Sequence, residues 1–333
     1  MLYTTLMLER NVHNPILSAR TDLRWCSKKV YNCAVYKEGH TYRMLFRAIG
    51  DDWISRLGLA ESTDGVTFTI ISSPTMSPEQ VWETHGCEDP RMVKLNGTYY
   101  VAYTAFDGVT ARAVLTSSPD LYKWGERRLL FPNWKQSQHG PLRTDWSKAA
   151  ALYPTKIGDM YYLLFGDEHI WAATSSNLVD WSPAPQPVLS AREDHFDAAY
   201  VEMGPPPILT PRGWLVLYHG IDSLNNYRTY ALGAALFASN NPSRLLWRCD
   251  SPILTPTESY ETVGMIDIIE GGFDRLKSLE LSDLQKLEAE RKLPRAVFCC
   301  GALLENDVVR LYYSGGDTVI CTATIDLESI LSA

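Results

Sequence analysis

Short apolar runs alternate with polar turns along the whole chain, and a helical period is nearly absent between them. One unit recurs: an apolar run, a turn carrying Gly or Asn, then an aromatic-rich apolar run. It stands at Cys33–Ala48 (CAVYKEGHTYRMLFRA), Pro90–Ala105 (PRMVKLNGTYYVAYTA), Tyr153–Gly166 (YPTKIGDMYYLLFG), Pro207–Gly220 (PILTPRGWLVLYHG) and Gly301–Gly315 (GALLENDVVRLYYSG). Two β-prone runs around a tight turn predict a hairpin each time. A second unit follows several hairpins: small residues, Ser or Thr, then Asp or Asn, then an aromatic. Its copies are Leu59–Phe68, Val114–Trp124, Ala172–Trp181 and Ala234–Trp247. They read as a third strand, a polar turn and the start of a fourth. Hairpin plus hairpin makes a four-stranded blade, and five copies of about 50–60 residues fill the chain. The pattern therefore predicts a single all-β domain over residues 1–333, a five-bladed β-propeller. A β-sandwich would give short strands without this repeated order. A parallel α/β fold needs helices that the pattern lacks.

The exception is residues 271–293. Ser282 with Gln285 forms a capping-box pattern, and Leu284, Leu287 and Leu293 mark an apolar face. A helical insertion in the last blade is expected there, as surface decoration, lid or oligomer contact.

Composition narrows the partners. The net charge of −8 comes from acids and bases mixed along the chain, with no basic stripe to meet nucleic acid. No stretch approaches the length of an apolar membrane helix, and Met1–Arg10 lacks the marks of a signal peptide. Seven cysteines at irregular spacings fit reduced thiols in a cytoplasmic protein. A homo-oligomer is left open. The 18 Tyr and 10 Trp serve core strands first, but flat rings also stack on the apolar face of a pyranose.

A propeller brings the innermost strand of every blade to one central channel. Polar residues near the start of each hairpin then converge on one pocket: Asn32, Arg47, Glu88, Asp89, Arg91, Lys148, Asp167, Glu168, Glu202, His219, Arg228 and Asp317. Charged groups beside apolar strands need partners or a purpose. Paired carboxylates suit glycoside cleavage, where one acid protonates the leaving oxygen. In an inverting hydrolase a second carboxylate, about 6.5–9.5 Å away, activates water. A phosphorylase replaces that base with a cationic cradle for phosphate. No spacing of His, Cys or Asp suggests a metal.

At Gly86–Arg91 (GCEDPR) the chain resembles glycoside hydrolase family 130, the mannoside phosphorylases and β-mannosidases. Further pieces match in order: YNCAV from Tyr31, LFRAIG from Leu45, KAAALYP from Lys148, GPPPILTPRGWLVLYHG from Gly204, YRTYALGAAL from Tyr227, CGALL from Cys300 and YYSGGDT from Tyr312. The likeness spans nearly all of the chain except the insertion, and it implies a five-bladed propeller. It implies Asp89 as general acid, and Asn32, Arg47 and Asp317 as holders of the mannose being released.

The chain departs from the phosphorylase pattern at two places. The His-Arg that follows the next strand in many phosphorylases reads Gly166-Asp167-Glu168 here. A Gly of the VGxGPPP stretch is replaced by Glu202 (VEMGPPP). Family hydrolases look similar at both places. Added acids would repel a phosphate dianion and can instead activate water. The expectation is an inverting β-mannosidase on manno-oligosaccharides, β-1,2-linked ones first, needing no cofactor. Its base would be Glu202, assisted by Asp167 or Glu168. Lys148, Arg91, His219 and Arg228 are retained from the phosphorylase set. They keep open a phosphorylase, with inorganic phosphate as co-substrate and mannose 1-phosphate as product. An arabinofuranosidase or xylosidase would start its first blade with Asp rather than Asn32. A non-catalytic sugar-binding propeller would repeat its polar residues from blade to blade, which this chain does not.

Overall fold

The computed structural model describes residues 8–136, 145–222, 229–262 and 295–332. Across them the chain is nearly all β. The hairpins close where turn chemistry requires it. Asn96 and Gly97 have positive φ (49° and 82°), as do Asn306 and Asp307 (51° and 63°). Each pair joins its strands through a two-residue turn whose twist matches theirs.

The described chain opens with β1 (Leu8–Arg10). Antiparallel pairing then groups the strands into consecutive meanders. The first is β2 (Lys29–Glu38), β3 (Thr41–Ile49), β4 (Ser55–Ser62) and β5 (Thr69–Ile70). The next is β6 (Gly86–Leu95), β7 (Thr98–Phe106), β8 (Ala111–Ser118) and β9 (Arg128–Leu129). Then come β10 (Ala151–Leu152), β11 (Tyr161–Phe165) and β12 (His169–Ser175), with β13 (Ser182–Pro183) and β14 (Leu189–Ser190) both on β12. The following meander has β15 (Tyr200–Met203) and β16 (Ile208–Thr210) on β17 (Gly213–Ile221), then β18 (Thr229–Ala238) and β19 (Asn241–Arg248). The final one is β20 (Arg295–Glu305), β21 (Val308–Gly315) and β22 (Val319–Asp326). Leu8–Arg10 pairs with the last of these strands, so β1 adds its outer edge.

Meanders pack face to face, and this explains why their strands read as near-continuous apolar runs. Met92 and Val101 meet Leu45 and Leu59 of the preceding meander. Val93 and Leu115 meet Leu163 and Phe165 of the following one. Trp214 and Val216 pack on Leu164 and Ile170, and Leu215 and Leu217 on Val297 and Leu311. Tyr312 and Ile320 of the final meander pack on Val30, Met44 and Phe46 of the first. Each fully buried Leu, Ile or Phe contributes about 1.5–3 kcal/mol. With both faces covered, strands lose the apolar–polar alternation of a half-exposed sheet. All seven cysteines are buried in this packing and none forms a disulfide.

The first strands lie together. β2 runs beside both β6 and β20, and β6 touches β10. A parallel pair joins Ser55 to Gly86, and an isolated bridge joins Asp167 to Glu202. Two short helices are described, Ser259–Thr262 and Leu327–Leu331. Neither was anticipated; Asp326 caps the second by accepting from the Ser329 N–H at 2.9 Å. The expected helical insertion, 271–293, lies outside the described residues.

Candidate active site

β-Bulges shape one wall of the site. The register of β2 shifts between Tyr31 and Cys33, and that of β6 between Glu88 and Arg91. Asn32 and Asp89 occupy the extra positions with φ of 44° and 49°, a conformation that short polar side chains tolerate. Pro90 sits beside the bulge, where its missing N–H breaks no ladder bond. In a regular strand Glu88 and Asp89 would face opposite sides. Here both line the same cavity of about 290 Å³, together with Asn32, Arg47, Lys148, Glu202 and Asp317.

Arg47 organises this wall. Its guanidinium reaches Glu88 Oε1 at 2.7 Å and Asp89 Oδ1 at 3.2 Å, and lies over the Tyr31 ring at 4.6 Å. The Asn32 amide donates to Asp89 Oδ1 at 2.8 Å, and the Ser55 hydroxyl donates to Glu88 Oε1 at 3.0 Å. Ser314 fixes Asn32 in turn, donating to its Oδ1 at 2.6 Å. These contacts separate the two acids. Burial pushes Glu88 up, Asp89 adds to it, and the carboxyl titrates at about 7 despite Arg47. Burial also works against Asp89, but Arg47, Arg91 and Asn32 outweigh it and hold that carboxyl below the usual range. Below about pH 7 the pair therefore carries one proton, and the opposite shifts favour Glu88 as its holder.

Among the described residues, the second wall sets one cation, Lys148, against two carboxylates. Lys148 Nζ lies 2.8 Å from Glu202 Oε1 and 3.8 Å from Asp167 Oδ2. The Tyr200 hydroxyl donates to Glu202 Oε2 at 2.9 Å and reaches Asp167 Oδ2 at 3.3 Å. Burial would lower Lys148, but Glu202 and Asp167 outweigh it and keep the ammonium charged. Burial, and then Asp167, push Glu202 up against the pull of Lys148. A carboxylate raised in this way is a better base than a free one.

Other expected site residues stand elsewhere. Arg91 is buried behind the wall, and three of its five N–H donors go to backbone carbonyls: Gly204 at 2.8 Å, Asp89 at 2.9 Å and Met203 at 2.7 Å. It clamps two strands and biases Asp89 by its charge rather than lining the cavity. His219 is buried too. Its Nε2 accepts from the Cys299 N–H at 2.8 Å, and its ring stacks on Phe298 at 3.9 Å. Burial, then Arg91 and Lys148, push its pKa well down, so it is neutral, and it does not line the cavity. Glu168 is half-buried with φ of 74° and does not line the cavity. Arg228 lies outside the described residues.

The clamp gives a first prediction. Arg91→Met leaves three buried carbonyls without a donor, at about 1–3 kcal/mol each. The thermal midpoint, followed by circular dichroism, is expected to fall by the equivalent of at least about 3 kcal/mol. An unchanged midpoint would contradict the clamp.

Several residues of the site carry no motif. Thr104 lines the cavity from an ordinary strand, and Ser55, on another, bonds Glu88 and Arg47 behind it. Tyr200 precedes Glu202 by two positions, so strand period alone could have placed it on the same face. Phe106, Trp146, Tyr230 and Phe298 add aromatic surface to the cavity.

Two acid–cation clusters and aromatic walls around a cavity, on an all-β scaffold, are suited to holding a neutral polyol and moving protons on it. The chain belongs to glycoside hydrolase family 130: the model of that family, described as beta-1,4-mannooligosaccharide phosphorylase, matches residues 11–269. It is 32% identical to a 1,2-beta-oligomannan phosphorylase of Thermoanaerobacter sp. (strain X514), over 98% of this chain and 99% of that protein. It is 30% identical to a beta-1,2-mannobiose phosphorylase of the same organism, over 97% and 98%. A solved structure described with glycoside hydrolases of the family that target beta-1,2 mannosidic linkages in Candida mannan superposes with a TM-score of 0.79. The two are 27% identical, with 96% of this chain and 93% of that one covered.

Proposed function

We propose that this protein is an inverting β-mannosidase acting on β-1,2-linked manno-oligosaccharides, built as a five-bladed β-propeller whose central channel holds the site. The observation that carries the reading is the Lys148–Glu202–Asp167 cluster. Among the described residues, a phosphate dianion at Lys148 would meet the carboxylates of Glu202 and Asp167 against the Lys148 ammonium, with the Arg91 charge farther back. At about 4 Å and an effective dielectric of about 20, each unit-charge pair is worth about 4 kcal/mol, so the two nearby acids offset most of the attraction. Water suffers no such penalty, and in this reading Glu202 takes its proton.

In this reading Asn32, Arg47 and Asp317 hold the mannose. Asp89 passes the proton carried by the Glu88/Asp89 pair to the glycosidic oxygen as that bond breaks. Glu202 removes a proton from the water that attacks the anomeric carbon from the opposite face. Asp167 and Tyr200 orient Glu202, and Lys148 keeps it ionised until it acts. In phosphate-free buffer, mannose should appear from β-1,2-mannobiose, faster than from the β-1,3 and β-1,4 isomers. Turnover that requires added phosphate would overturn the hydrolase.

The second reading is phosphorolysis. It is favoured by the two phosphorylase relatives at 32% and 30% identity and by the retained Lys148. It would require cations beyond Lys148: Arg91 and His219 bond backbone groups, and Arg228 lies outside the described residues.

The acid pair predicts the basic limb of the pH profile. Glu88 has its carboxyl raised, so the proton is present below about pH 7 and lost above it. The native kcat/KM is expected to fall above that point, about tenfold per unit. Glu88→Gln leaves only the depressed Asp89 to ionise, so the limb should move toward acid. Activity at neutral pH should then drop by about tenfold or more. An unmoved limb would remove Glu88 from proton storage.

A further inference from the structure

The rim of the cavity carries an apolar wall that the acid and base chemistry leaves unused. Phe106, Ala111 and Trp146 line it. Phe106 ends β7 and lies opposite Gly86 in the register, while Thr104 lies opposite Glu88. Two residues along a strand span about 7 Å, so Phe106 stands that far from the level of the acid pair. The Trp146 ring packs against Phe106 with centroids 6.3 Å apart and planes at 71°, and His85 packs against Phe106 at 6.1 Å.

The wall is built rather than incidental. The Trp146 indole N–H donates to the Val109 carbonyl at 3.1 Å. That carbonyl belongs to a turn fixed by Asp107, whose Oδ1 accepts from the N–H groups of Val109 at 2.9 Å and Thr110 at 2.7 Å. Asp107 is itself paired with Arg112 at 2.6 Å. Gly108 has φ of 96°, and a Cβ there would lie 2.7 Å from the His85 ring. Turn, imidazole and indole therefore lock one another. Val109 is exposed beside them and extends the apolar strip outward. A rigid aromatic face costs little ordering on binding, and its natural complement is the C–H face of a sugar ring.

We propose that the Phe106–Trp146 wall is the subsite for the leaving-group mannose, and that it makes the protein select oligosaccharides over simple mannosides. The inference rests on the β-mannoside reading of the cavity. The charged groups near Arg47 hold the ring that is attacked, and the wall holds the next one.

The test is calorimetric binding in protein carrying Asp89→Asn, which removes turnover. Mannose, β-1,2-mannobiose and β-1,2-mannotriose are titrated with and without Trp146→Ala. The substitution should weaken the disaccharide and trisaccharide about tenfold, and mannose by much less. Trp146→Phe, which keeps a flat ring, should recover most of that affinity. Equal losses for all three sugars, or no loss for any, would overturn the wall. Failure of the Asp89→Asn protein itself to bind any of the three would overturn the mannoside reading, and the wall with it.

Discussion

Asp89→Asn should leave a folded protein whose turnover of β-1,2-mannobiose is about a thousandfold or more below native, within the range that general acid catalysis supplies. The fold should survive because Asn keeps the shape and the positive φ that the bulge demands. Its Oδ1 can still accept from the Asn32 amide, as Asp89 does at 2.8 Å. What disappears is the route by which a proton reaches the glycosidic oxygen. One charge also leaves Arg47, and with it a cause that raises Glu88. Glu88 therefore gives up its proton more readily, and the variant cannot recruit it instead. A mannoside whose leaving group needs no protonation, such as a dinitrophenyl mannoside, should lose far less rate. A comparable loss on both substrates, or a loss under tenfold on the disaccharide, would remove Asp89 from the acid role.

Glu202→Gln is the second large effect. Hydrolysis should fall by about a hundredfold to ten-thousandfold, because the amide cannot take the proton of water. The variant is nearly isosteric, and the Tyr200 hydroxyl keeps an oxygen to donate to. The charge balance of the wall also changes. Among the described carboxylates Lys148 then keeps Asp167, which lies farther away at 3.8 Å. Inorganic phosphate should therefore inhibit the variant more strongly than the native protein, which competition kinetics would show. Retained hydrolysis would mean that another group serves as base.

How far the sequence could be read depends on the range of the interactions. Hairpins were legible because Asn96-Gly97 and Asn306-Asp307 determine their turns locally. Asn32 and Asp89 were legible as site residues through their motifs. The bulges that turn Glu88 and Asp89 to the same side were not, because a register shift depends on the partner strand. Arg91 and His219 resembled anion ligands by type. Their actual partners are the carbonyls of Met203 and Gly204 and the N–H of Cys299, at sequence separations of 112, 113 and 80. No local pattern encodes such contacts. Glu168 adjoins Asp167, but a left-handed backbone separates their directions. The aromatic rim joins Phe106 at the end of β7 to Trp146 in the segment before β10, so it becomes visible only once the chain has folded back.

The division of the cavity into a proton-donating wall and a water-activating wall is tested most directly by proton NMR of β-1,2-mannobiose cleavage in excess phosphate. The account predicts free α-mannose as the first product, at a rate that phosphate does not increase. An α-anomeric signal split by phosphorus, from mannose 1-phosphate, would contradict it.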